Sequence, residues 1–272
     1  MTELVTGART FLFVPGHRPD RFAKAAASGA DLVILDLEDA VAPDRKDDAR
    51  EHVRAWLAEG HPAVVRVNPG DTPWHDEDVA AIRNLASAVM LPKAEAPQQI
   101  EALAAGLPGT PILPLIETAL GVVQAVAVCA AEAVVRPAFG NVDLAAQIGV
   151  DHTSHEALRH ARSAVVLAAA AAGRAAPVDG VTTALEDVVI LDADLEHAKS
   201  LGFTAKLCLH PRQVPLANRA LSPTDDEIAW AHRMLSQRAC GSVTVVDGQM
   251  VDRPVLLRAQ AILARAGQRP PQ

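Results

Sequence analysis

Apolar runs recur along the chain, each closed by polar or Gly/Pro residues: Thr10–Val14, Leu32–Leu37, Ala63–Val67, Ala88–Leu91, Pro111–Ile116, Val134–Phe139, Val178–Val181 and Thr204–Leu209. They are apolar throughout instead of alternating, the pattern of parallel strands covered on both faces. Helical stretches lie between them. Pro19-Asp20 opens one that closes at Gly29, and Pro43-Asp44 opens the next. Another, from about Glu186 to Gly202, carries Val189, Leu195 and Leu201 on one face. Strand and helix alternating eight times predicts an α/β protein, a TIM (β/α)8 barrel. A doubly wound open sheet is the competing arrangement, and no G-x-G-x-x-G follows the first strand to support it.

After Pro211 the pattern changes. Ser222-Pro223-Thr224-Asp225-Asp226-Glu227 reads as a helix start with acids in its first turn. SVTVVDGQMV reads as a hairpin with Asp247-Gly248 at the turn, and Arg253-Pro254 begins a last helix to about Ala266. Residues 1–220 are therefore expected to form the catalytic barrel, and 221–272 a hairpin-plus-helix extension ending in a frayed tail. Asp252 falls between the hairpin and the last helix.

Composition narrows the partners. The 272 residues carry 25 Lys+Arg against 33 Asp+Glu, a net charge of −8, and only 3% aromatics. Nucleic acid and anionic membrane surfaces call for a positive contact face, so neither is expected as a partner. Cys129, Cys208 and Cys240 lie far apart without CxxC spacing, as buried thiols in a reducing compartment do. The N-terminal MTELVTGARTFLFVPG lacks the pattern of a signal peptide, and the apolar stretch from Ala164 to Gly173 is too short to span a bilayer. A cytoplasmic protein is expected. Tyrosine is absent, so proton transfer must fall to carboxylates, His, Lys, Cys or water.

In a barrel of this kind the active site lies at the C-terminal ends of the strands. Those ends carry Asp36-Leu37-Glu38-Asp39, Arg66-Val67-Asn68, Lys93-Ala94-Glu95, Glu117-Thr118, Gly140-Asn141-Val142-Asp143 and His210-Pro211. Several carboxylates thus converge on one rim with an arginine and a lysine among them. Like charges that close demand a cation or raise one another's pKa. Oxygen donors without His/Cys pairs suit a hard ion, Mg2+ or Mn2+, and disfavour zinc.

Each residue also has a plainer reading. Glu38 and Asp39 precede a helix and could cap it. Asp143 could close an Asx turn, Arg66 could pair structurally with one of the acids, and His210 could be a packing residue. His17, Arg18, Arg21 and Lys24 could be a solvated helix face. Lys93 could form a Schiff base, although most strand-end lysines form salt bridges. Glu117 follows the apolar ILPLI, where an ionised carboxylate needs a cation or several donors.

RTFLFVPGHRPDRFAKAAASGADLVILDLEDAVAPDRKDDAR, VVRVN, MLPKAE, PLIET, FGNVDLAAQIG, CLHPRQV and DGQMVDRPVL occur in this order. From about Arg9 to Leu263 the chain resembles the citrate lyase β-subunit-like proteins of the HpcH/HpaI aldolase/citrate lyase family, which includes malyl-CoA and citramalyl-CoA lyases. The resemblance implies a Mg2+-dependent TIM barrel, usually trimeric, that cleaves or forms a C–C bond in short acyl-CoA thioesters. It implies Glu117 and Asp143 as metal ligands, with Glu38 and Asp39 orienting metal-bound waters. Arg66 would hold the substrate's carboxylate or keto group and offset enolate charge. Asp252 would be an acid/base residue delivered into a neighbouring subunit's site, and Arg9, Arg18, Arg21 and Lys24 would lie near the CoA phosphates. Two other functions stay open: an aldolase acting on CoA-free hydroxy-keto acids, and a non-catalytic acyl-CoA-binding subunit.

Overall fold

The eight apolar runs form eight strands: β1 Thr10–Pro15, β2 Leu32–Asp36, β3 Val64–Arg66, β4 Ala88–Leu91, β5 Ile112–Ile116, β6 Ala138–Phe139, β7 Val178–Asp179 and β8 Ala205–Cys208. A computed structural model describes residues 2–236, 244–246 and 249–267 of the chain. The strands pair in parallel in chain order, and β8 closes onto β1 through Thr10↔Lys206, making the TIM barrel. Alternate residues fill the lumen: Phe11, Ile34, Val64, Met90, Leu113, Leu115, Ala138, Val178, Ala205 and Leu207 form one buried cluster. Their neighbours face the surrounding helices, where Ile116 and Phe139 pack with Leu144, Leu158, Val165 and Phe203. Both faces are covered, which is why the runs read as apolar throughout.

β6 and β7 are cut to two residues each, well short of their apolar runs. The run at Val134–Phe139 contains Pro137, which has no N–H for a ladder, and Val134 is left as an isolated bridge to Ile112. β7 stops at Asp179 because the Asn141 side chain takes over the ladder's role, accepting from Val181 N at 2.9 Å. A Cβ at Gly180 would stand 2.2 Å from Asn141 Oδ1, so only glycine fits beside it.

A helix the pattern does not predict, Thr2–Gly7, precedes β1. Arg136, 1% exposed, satisfies the carbonyls at its end, donating to Val5 O, Thr6 O and Ala8 O. Burial lowers the Arg136 pKa to about 9. The helix closure predicted at Gly202 appears as a left-handed C-cap, φ 106°, whereas the helix predicted to close at Gly29 ends at Ala26, three residues before that left-handed glycine.

The chain divides into two compact units, Met1–Asn218 and Arg219–Gln272. In the second, the helices Asp225–Ser236 and Arg253–Arg265 bury Ala231, Met234, Leu235, Ala259, Ile262 and Leu263 together. Thr224 and Glu227 form a reciprocal capping box. Thr244–Val246 and Gln249–Val251 pair antiparallel as the predicted hairpin. The Asp247-Gly248 turn, Cys240 and the tail from residue 268 lie outside the described residues. No helix among the described residues is long and apolar enough to cross a membrane.

Between barrel and helices, Asp179 accepts from Arg162 Nε at 2.9 Å and from Lys206 Nζ at 2.7 Å, all three side chains being buried. Burial opposes the carboxylate's charge, but the two cations outweigh it and hold its pKa below the usual range. Removing one partner of a buried pair strands the other charge, so Asp179→Ala is expected to destabilise by about 3–5 kcal/mol in urea unfolding. A folded-state pKa below the unfolded value means this contribution is full above about pH 4 and lost as pH falls further. The variant should therefore show a shallower loss of stability in acid than the wild type.

Candidate active site

The inward phase of β2, β3, β5 and β6 continues past the lumen to Asp36, Arg66, Glu117 and Gly140, which line one cavity of about 890 Å³. Asp39, Asp143, Arg21 and Lys24 line it too. Arg66 is 9% exposed and donates from Nε and Nη2 to the two oxygens of Asp36, each at 2.7 Å. The Phe13 ring lies 4.8 Å from its guanidinium carbon. Burial disfavours the charge on Arg66, but Asp36, Glu38 and Glu117 outweigh it and keep the guanidinium above its ordinary range. Asp36, correspondingly, is held below the carboxylate range by Arg66 against the opposing effect of burial.

Glu38 sits behind the cavity at 3% exposure. Its Oε1 accepts from Lys93 Nζ at 2.5 Å, while Oε2 stands 2.9 Å from Arg66 Nη1 yet has no hydrogen-bond partner among the described residues. Burial raises its pKa despite both cations. Glu38 does not cap the following helix. Its backbone carbonyl and that of Leu37 accept from the buried Lys46 Nζ, which also donates to Asn68 Oδ1. Asn68 in turn donates to Asp78, so three buried side chains fix the path of the loop after β2.

Glu117 is 2% exposed and accepts the Lys93 backbone N–H at Oε1. Burial first, and then the charges of Glu38 and Asp143, raise its pKa well above the ordinary value, with Arg66 opposing. A Cβ at Gly140 would lie 2.4 Å from Glu117 Cβ and 2.7 Å from its Oε2, so glycine alone leaves that carboxylate its place. Asp143 stands in the first turn of the helix Asn141–Ile148.

Two neighbouring carboxylates, a buried oxygen on a third that accepts no hydrogen bond among the described residues, and donors that are all oxygen fit a hard divalent cation. Among the described residues no group of three or more His, Cys, Asp or Glu forms a closed metal cage. An ion here would keep most of its waters, as Mg2+ does.

The other expected residues scatter. Arg18 is paired with Asp20 at the surface. Arg9 stands at the N-terminal end of β1, away from the rim, and is held by Asp31 through Nε and Nη2. That position removes Arg9 from the rim's ligand. Asp252 belongs to the second unit, where it caps the last helix by accepting from Val255 N at 3.3 Å. His210 lines the cavity and accepts the Arg212 N–H at Nδ1, which places the neutral ring's proton on Nε2. Lys93 Nζ is bound to Glu38, which raises its pKa although burial opposes it, the reverse of what a nucleophilic Schiff-base amine needs. Asp36, Lys46, Asn68 and Gly140 had no assigned role in the sequence; the signal available was the in-phase spacing of Asp36 from Ile34 and Gly140 from Ala138.

Residues 9–211 match the HpcH/HpaI aldolase/citrate lyase family. A citrate lyase subunit beta-like protein of Mycobacterium tuberculosis is 40% identical over 266 residues, covering 95% of each chain. The (3S)-malyl-CoA thioesterase of Cereibacter sphaeroides is 34% identical, covering 95% of this chain and 94% of its own. The crystal structure of protein CitE from M. tuberculosis in complex with magnesium, acetoacetate and coenzyme A superposes with a TM-score of 0.82 at 38% identity, covering 97% of this chain and 100% of that one.

Gly140→Ala is expected to displace the Glu117 carboxyl and lower stability by about 1–3 kcal/mol, the range of an overpacked core position. Thermal unfolding and a crystal structure of the variant check both effects; an unmoved Glu117 would refute the steric argument.

Proposed function

The chain belongs to the HpcH/HpaI aldolase/citrate lyase family, and we propose that it is a Mg2+-dependent carbon–carbon lyase cleaving, or forming, short 3-hydroxyacyl-CoA thioesters by a retro-Claisen route. The observation that carries this reading is a single cavity lined by buried Arg66 and Glu117 together with Asp143. Cleavage removes the 3-hydroxyl proton, breaks the C2–C3 bond to release a keto acid, and leaves the electron pair on a thioester enolate that is then protonated at carbon. Glu117 and Asp143 would hold Mg2+, or Mn2+, which when bound supplies a Lewis acid at the substrate's oxygens. Glu38 and Asp39 would orient its waters. Arg66 places fixed positive charge where the enolate or the substrate's carboxylate carries negative charge. Arg21 and Lys24, which line the cavity, would meet the CoA phosphates.

Asp252 of a neighbouring copy would move the proton at carbon. A homotrimer is supported by exposed apolar side chains on the helices after β5 and β6, Leu120, Val123, Val126, Val142 and Ile148, and by Val150 just beyond them. These helices are tied by Gln147 Oε1, which accepts the Ala119 N–H, and Val142 also lines the cavity.

Incubation with Mg2+ and a panel of hydroxyacyl-CoAs, against CoA-free hydroxy-keto acids, tests the reaction. Turnover of thioesters, lost with EDTA and restored by Mg2+, is expected; turnover of only the CoA-free acids would replace the lyase with an aldolase. Glu117→Ala and Asp143→Ala should each abolish Mg2+ binding in calorimetry. Glu117→Ala and Asp252→Ala, each inactive alone, should regain activity when their subunits are mixed, because a mixed trimer contains a complete site. No recovery after demonstrated subunit exchange would place Asp252 outside the neighbour's site.

A further inference from the structure

Lys93 is joined to the rim by two bonds that come from different parts of the residue. Its backbone has φ 50°, a left-handed conformation that a side chain disfavours. In that conformation its N–H donates to Glu117 Oε1 at 2.9 Å, while its ammonium reaches Glu38 Oε1 at 2.5 Å. Glycine would adopt this backbone without strain, so the lysine side chain stands here against local conformational preference.

The reason lies in what Glu38 would otherwise do. Arg66 spends Nε and Nη2 on Asp36, and Nη1 is the remaining edge of its guanidinium. Glu38 Oε2 is already 2.9 Å from Nη1 but not aligned as a hydrogen bond. An unrestrained, buried carboxylate beside a guanidinium closes into a charge-assisted bond. Lys93 draws the carboxylate the other way by its second oxygen, and Lys46 holds the Glu38 carbonyl from behind.

We propose that Lys93 is a positioning residue for Arg66: by holding Glu38 through Oε1 it keeps Oε2, although only 2.9 Å from Nη1, out of line with the Nη1 N–H bonds, leaving those hydrogens to receive an oxyanion of the substrate. This rests on the reading of Arg66 as the group that binds the substrate's carboxylate or keto oxygen. It assigns Lys93 no contact with substrate and no covalent step.

The test uses three variants of the full chain, with pyruvate as a short 2-oxo acid probe and Mg2+ titrated separately by calorimetry. Lys93→Met removes the charge and keeps the strained backbone; pyruvate affinity in the presence of Mg2+ is expected to fall about tenfold or more, with Mg2+ affinity within about threefold. Lys93→Gly removes the charge and the strain together; it should lose pyruvate affinity equally while its melting temperature stays level or rises. Lys93→Arg, which keeps the charge, should recover most of the affinity. A lysine serving only to brace the loop would instead lose stability and affinity together in the Gly and Met variants. Unchanged pyruvate affinity in both, with the wild type binding, overturns the role of Lys93 alone. A wild type that binds Mg2+ but not pyruvate overturns the assignment of Arg66 and, with it, this proposal.

Discussion

The rim is organised by the pairing of Arg66 with Asp36. A buried guanidinium is stable only where its donors and its charge are met, and Asp36 meets two of the donors in one plane at 2.7 Å. The alignment needs no loop to set it, because Asp36 and Arg66 are direct partners in the parallel ladder of β2 and β3. A slip of one residue in either strand would turn one of them out of the barrel. The place of Nη1, 2.9 Å from Glu38 Oε2, follows from that fixed pair. So does the packing of Phe13 against the guanidinium face.

The same two-residue period joins core to chemistry. Ile34, Val64, Leu115 and Ala138 fill the lumen, and two residues further along come Asp36, Arg66, Glu117 and Gly140. The barrel's hydrophobic layer is thus the foundation of the polar one, and each rim side chain inherits its direction from a packed neighbour. For that reason much of the site was legible in the chain. Strand ends could be read from where apolar runs stop, and the rim acids from the polar residues immediately beyond each run. The helix capped by Thr224 and Glu227 was equally plain, since its signal is local.

The features that escaped a reading of the chain depend on approach between distant residues. Nothing near Lys93 announces a positive φ, and nothing near Lys46 announces that its ammonium will bind two carbonyls and Asn68. Arg9 lies in a stretch that resembles the family's, but its place before β1 puts it at the barrel's other end, against Asp31. The shortened β6 and β7 have the same origin: Pro137 is visible in the chain, whereas the Asn141 side chain that replaces a ladder partner is visible only in the fold.

A net charge of −8 over the whole molecule says little about this rim; local charge decides its ligand. Asp36, Glu38, Glu117 and Asp143 gather around Arg66 and Lys93, so the acids outnumber the cations where burial makes excess charge costly. Burial and the charges of Glu38 and Asp143 push the Glu117 pKa up, the sign that this surplus of negative charge is incompletely met by the cations around it. A divalent cation held by Glu117 and Asp143 would offset that surplus and lessen the repulsion that an anionic thioester meets on entering. On the proposed reading, the ion and the fixed charge of Arg66 would together let this acidic rim receive one small anion.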